Sequence, residues 1–184
     1  MKAFATIVTL LASVVAVAAN TVSFIGEDST TRTVYFTPNE GGSEIDAVTV
    51  EGGASVSVDF PDSWVGNWYA IKEGDENIPG MLGEVAFNAW GDITFFDVSA
   101  IVNADDKDNV KLIYPASGMI PTSGCESFPC DNAYYLPDDV QTKATSESEL
   151  ICTLGSSSSD KKRDLEAESP LPNFKRDFVL GKYA

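Results

Sequence analysis

Between residues 21 and 114 no stretch repeats its apolar residues at helical spacing, whereas short runs alternate apolar and polar positions between Gly, Pro, Asn and Asp. The clearest run is 54–60, in which Val56, Val58 and Phe60 face one way and Ser55, Ser57 and Asp59 the other. A period of two puts successive side chains on opposite faces of a strand, so this run reads as half-buried β. Thr33, Val34, Tyr35 and Phe36 form a β-branched and aromatic run that ends at Pro38, Asn39 and a Gly41-Gly42 turn. Segments 45–50, 67–72, 84–87, 93–98 and 110–114 are further candidates. Many short strands separated by turn residues predict an all-β chain, an antiparallel sandwich or barrel. Residues 20–155 suffice for one core and are too few for two, so a single domain is expected.

Both ends differ from this body. Lys2 precedes an apolar run over 3–17, broken only by Thr6, Thr9 and Ser13, and small residues (Ala16, Ala18, Ala19) close it. That is the layout of a secretory signal peptide over 1–19, cleaved before Ala19 or Asn20. The run falls short of the ~20 residues a helix needs to span a bilayer, so no membrane association is expected after cleavage. At the other end, Ser156 to Ser159 open a polar stretch over 156–184 that is too poor in apolar residues to fold alone and reads as a disordered tail. It holds two basic clusters, Lys161-Lys162-Arg163 and Lys175-Arg176. Dibasic processing after Arg163 and Arg176 would release 164–176 and 177–184; the alternative is a solvated linker.

Charge excludes one class of partner. The chain carries 12 basic and 28 acidic residues, a net of −16. The imbalance lies in the body, where Arg32, Lys72, Lys107, Lys111 and Lys143 face 23 acidic residues. Nucleic-acid binding depends on cations that displace counterions from phosphates, so no nucleic acid is expected as a partner. The chain has no histidine, which removes Ser–His and Cys–His hydrolases and histidine-dependent nucleases. Cys125, Cys130 and Cys152 are the only cysteines. In an oxidising compartment they form one disulfide and leave one thiol, with Cys125–Cys130 and Cys130–Cys152 both open. Neither a zinc site nor a cofactor is expected. Asp105, Asp106 and Asp108, with Asn103 and Asn109, have oxygen ligands for calcium but lack EF-hand spacing, and read as a solvated turn.

Four blocks resemble the thaumatin-like proteins. LGEVAFNAWGDITFFDVSAIV, from Leu82 to Val102, is similar to that family's "AEF" followed by "DFYDVS". SWVGNWYA from Ser63 is similar to its "W-x-G-R-x-W" strand, PCDNAYYLPDD from Pro129 to its "CPDAYSY-x-DD", and the stretch from Glu149 to Cys152 to its "FTC". The chain looks closest to small fungal secreted members of the yeast-phase and conidial antigen type, some of whose relatives carry a DNase-type name. The resemblance implies a thaumatin-like sandwich, a cell-wall or extracellular location, and binding or weak hydrolysis of β-glucan. It aligns Glu84 and Asp97 with two acids of the family's cleft. The family's arginine is replaced by Asn67, and its "CPDAY" aspartate by Asn132, with Asp131 alongside.

Two carboxylates on neighbouring strands have the composition of a glycosidase pair, so Glu84 and Asp97 are the catalytic candidates if the chain hydrolyses glycans. Trp90, in an Asn88–Asp92 turn, is the best exposed aromatic for stacking on a sugar, with Asp92 and Asp131 as polar partners; Trp64, Trp68, Tyr69, Phe95 and Phe96 divide between core and surface. The resulting reading is a secreted, non-enzymatic protein that binds cell-wall polysaccharide or a host protein. A weak glucan hydrolase and a precursor of processed peptides are the alternatives.

Overall fold

A computed structural model describes residues 20–156. Those residues form eleven strands: β1 (Asn20–Gly26), β2 (Arg32–Pro38), β3 (Val48–Val50), β4 (Ser55–Phe60), β5 (Val65–Lys72), β6 (Leu82–Ala86), β7 (Thr94–Ser99), β8 (Val110–Pro115), β9 (Ser123–Gly124), β10 (Lys143–Thr145) and β11 (Glu149–Leu154). One sheet has the order β4-β1-β11-β8-β9, the other β10-β7-β6-β5-β2-β3. The expected all-β, two-sheet architecture is therefore present. The six-stranded sheet is antiparallel throughout. The five-stranded sheet departs from the expectation at one pair: β1 lies parallel to β11, from Thr21 beside Glu149 to Gly26 beside Leu154. A parallel pair needs a long crossover, and here the rest of the domain supplies it.

Alternation fixes which residues enter the core. In β1 and β2 every second side chain is buried, placing Val22, Phe24, Val34 and Phe36 between the sheets. Trp68, Val85, Phe96, Ile113, Leu150 and Leu154 join them in one cluster. Aromatic rings at its centre meet edge to face, Phe24 against Trp68 at 5.5 Å and Phe60 against Trp64 at 5.0 Å. Offset contacts of this kind match the positive edge of one ring to the negative face of the next. The Trp68 indole also crosses the backbone of β6 at Gly83, where a Cβ would stand 2.4 Å from the ring.

Arg32, at the start of β2, is buried and uses every N–H of its guanidinium. Nη1 and Nη2 donate to the two Asp28 carboxylate oxygens at 2.7 and 2.8 Å, Nη1 also to the Thr30 carbonyl, Nη2 to the Asp108 carbonyl and Nε to Asn109 Oδ1. This clasp ties the β1–β2 turn to the loop before β8. Arg32 holds the Asp28 carboxyl at about 2.

Of the two disulfide pairings left open, Cys125–Cys130 is formed, with Cα atoms 6.5 Å apart. Cys152 is a buried free thiol that accepts the Trp68 indole N–H at 3.4 Å. Burial pushes its pKa up to about 12. Residues 1–19 and 157–184, and with them the leader and the processing candidates Arg163 and Arg176, lie outside the described residues.

Candidate functional site

The outer face of the six-stranded sheet is where side chains that do not enter the core collect. Cross-strand register places Thr37 opposite Asn67, Asn67 opposite Glu84, and Glu84 opposite Asp97. Thr142, just before β10, closes the row by donating its hydroxyl to Asp97 Oδ2 at 3.1 Å, and its own hydroxyl pairs with Tyr134 at 2.8 Å. From β2 to β10 the row crosses four strand spacings, roughly 19 Å.

Within the row the sequence-identified acids meet. Glu84 is half-buried, while Asp97 retains only 7% of its exposure. Asp97 Oδ1 is buried and receives no protein donor. Its pKa is raised to about 7, first by burial, then by the charge of Glu84 and a hydrogen bond with it; Thr142 and Lys143 act in the opposite direction. Below about pH 7 Asp97 therefore keeps its proton.

A cleft of about 330 Å³ opens over this pair, lined by Asn67, Glu84, Phe95, Asp97 and Thr142 among others. Phe95 also lines a shallower, apolar hollow of about 640 Å³ with Trp90, Ile93 and Ala144. Trp90 is 89% exposed. It is held out by a tight β6–β7 turn in which Asn88, Gly91 and Asp92 all take positive φ, a backbone that Asn, Asp and Gly tolerate better than other residues. On the other side of the row, Tyr35 and Tyr69 stack with centroids 5.4 Å apart and planes at 19°. The face thus carries a polar row between two aromatic patches.

Other expectations fare differently. Asp92 is exposed at the turn beside Trp90. Asp131 is exposed next to the disulfide and lines neither hollow. Trp64 and Trp68 are buried and belong to the core. In the acidic turn, Asp106 is engaged by the chain itself, accepting the Met81 N–H and the Asn109 amide at 2.8 and 3.0 Å. The sequence reading missed Thr37, Tyr35 and Thr142. The first two follow from alternation along β2, while the three-residue β10 leaves no periodic signal for Thr142.

No protein-family model matches the chain. Over 137 residues it is 55% identical to the antigenic protein SchS21 of Stachybotrys chartarum, spanning 74% of this chain and 95% of that one. The chain belongs to the SchS21 antigen family. This membership corrects the thaumatin-like resemblance, since neither the relative nor the solved structure matched here is a thaumatin-like protein. The four blocks behind it are strand-and-turn stretches that an unrelated sandwich also needs: 82–99 is the β6–β7 hairpin, and 63–70 is the entry to β5 with its core tryptophan. Among solved structures, the protein elicitor MoHrip2 of Magnaporthe oryzae matches with a TM-score of 0.60 at 19% identity, over 75% of this chain and 100% of that one. That likeness concerns the fold of this chain alone. The relative is named as an antigen and the solved structure as an elicitor; neither name states an enzymatic activity.

Proposed function

We propose that the protein is a secreted, non-enzymatic binding protein whose ligand face is the outer surface of the six-stranded sheet, and that the ligand is a neutral, β-glucan-type polysaccharide at a cell wall. The observation that carries this reading is the polar row from Thr37 to Thr142 lying between the Tyr35–Tyr69 stack and the Phe95–Trp90 patch. Amide, hydroxyl and carboxylate groups pair with sugar hydroxyls, and flat rings pack against the apolar faces of pyranoses. The acidic body disfavours polyanionic ligands. Export is supported by the leader-like 1–19 segment, by a disulfide suited to an oxidising compartment, and by the antigen and elicitor names of the matched proteins.

The non-enzymatic part of the reading is supported by the antigen and elicitor names of the matched proteins, neither of which states an activity. Sedimentation of the protein with insoluble β-1,3-glucan and with chitin, with reducing sugar assayed in each supernatant, tests the proposal. Retention on glucan without sugar release is expected. Sugar release abolished by Glu84→Gln would make the protein a glycosidase, and no retention on either polymer would direct the search to a protein partner.

A further inference from the structure

We propose that the Glu84–Asp97 pair is a binding site for a hard divalent cation, calcium above all, with Asn67 and Thr142 completing the set of oxygen ligands. The site is independent of the glycan reading, because its argument uses only the unmet needs of these side chains.

Like charges directly opposite on adjacent strands repel, and Glu84 and Asp97 occupy such a position. The ion pairs Arg32–Asp28 and Lys72–Asp108 touch neither acid, and Lys143 acts on Asp97 through its charge without removing the effect of Glu84. Asp97 is more than nine-tenths buried, with Oδ2 engaged by Thr142 and Oδ1 receiving no donor. A buried carboxylate oxygen without a donor is costly, and a cation held between the two acids relieves that cost. The cleft above the pair is open to solvent, and Glu84 is the more exposed of the two acids. A half-buried glutamate can swing to admit an ion, while the fixed Asp97 waits below.

The ligand chemistry selects the metal. Carboxylate, amide and hydroxyl oxygens suit calcium, magnesium or manganese, and the face has no imidazole or thiolate to favour zinc or copper. Calcium accepts irregular sets of six to eight oxygens at about 2.3–2.6 Å, whereas magnesium demands a near-ideal octahedron and gives up water reluctantly. Two carboxylates converging from adjacent strands, an Asn67 amide and a Thr142 hydroxyl form an irregular set with room for water, which fits calcium better. The Thr142 hydroxyl would then turn from donating to Asp97 to offering a lone pair, and the Tyr134 hydroxyl beside it can take up the released hydrogen bond.

The test is calorimetric titration of the full chain, first stripped with chelator, with calcium chloride and separately with magnesium chloride near pH 7.5. One calcium site is expected with a Kd of about 10⁻⁴–10⁻³ M, the range of extracellular modules with few charged ligands, and magnesium is expected to bind more weakly. Glu84→Gln and Asp97→Asn should each weaken binding by at least about tenfold, and Asp105→Asn, in the other acid-rich region, should leave it unchanged. Thr142→Val, at an exposed position, provides a further ligand variant with little risk to folding, and circular dichroism checks each protein. Absence of saturable binding up to about 10 mM calcium would overturn the proposal. So would binding that survives both carboxylate changes or disappears with Asp105→Asn, and magnesium binding as tight as calcium would overturn the assignment of the ion.

Discussion

Asp28→Asn tests whether the clasp at the end of the sandwich stabilises the fold as its geometry implies. The substitution keeps shape and size but removes the charge that two guanidinium nitrogens of a buried arginine hold at 2.7 and 2.8 Å. Arg32 lowers the Asp28 pKa from 3.8 to about 2. A depressed carboxyl contributes stability that is fully present above its unfolded pKa and is lost as pH falls through the folded one. At pH 7 that contribution is about 2.4 kcal/mol, from 1.36 kcal/mol for each pKa unit. At pH 3 about half remains, and at pH 2 only a few tenths of a kcal/mol. For a domain of this size the neutral-pH loss lowers Tm by roughly 8 °C. Urea unfolding followed by tryptophan fluorescence, run on both proteins from pH 7 to pH 2.5, measures the gap directly. It should be widest near neutrality and shrink to about a third of that at pH 2.5. A variant as stable as the parent at pH 7, or a gap that does not change with pH, would refute the assignment of this energy to the Arg32–Asp28 pair.

Further predictions concern the site and the core. Asp97 has its pKa raised to about 7, so its contribution to stability is fully present below pH 3.8 and lost as pH rises through 7; with chelator present, Asp97→Asn should raise Tm at pH 8 and leave it nearly unchanged at pH 4. A Cβ at Gly83 would meet the Trp68 ring at 2.4 Å, so Gly83→Ala should cost about 1–3 kcal/mol in chemical denaturation, by overpacking. The Cys152 thiol is buried and its pKa is about 12; a thiol reagent at pH 8 should find no reactive group in the native protein and one after denaturation without reductant.

The two-sheet fold was legible where alternation runs long enough to assign faces. Val56, Val58 and Phe60 could be set on one side of a strand from sequence alone, and β4 confirms that placement. The 45–50 run kept only Val48–Val50 as strand, because it is an edge element paired on one side to β2. Strands of two or three residues, β9 and β10, offer no period to detect. The parallel pairing of β1 with β11 joins residues more than a hundred positions apart, and nothing local to either strand specifies the partner. The same limit applies to the site. Glu84 and Asp97 could be placed on neighbouring strands because a short turn joins them, whereas Thr142 reaches Asp97, with Tyr134 behind it, from a loop whose path depends on tertiary packing. The thaumatin-like resemblance failed for a related reason: its blocks reflect the local demands of strands and turns, which many sandwiches share.

The central claim is that the outer face of the six-stranded sheet binds glycan through its aromatic patches. The most direct measurement is the affinity of the full chain for insoluble β-1,3-glucan by depletion, compared with Trp90→Ala and Tyr69→Ala. Trp90 is 89% exposed, so its loss leaves the core intact. The account predicts saturable binding that falls by about tenfold in each variant, a loss of ~1.4 kcal/mol. Binding that both variants retain at full strength, or no binding by the parent, would contradict it.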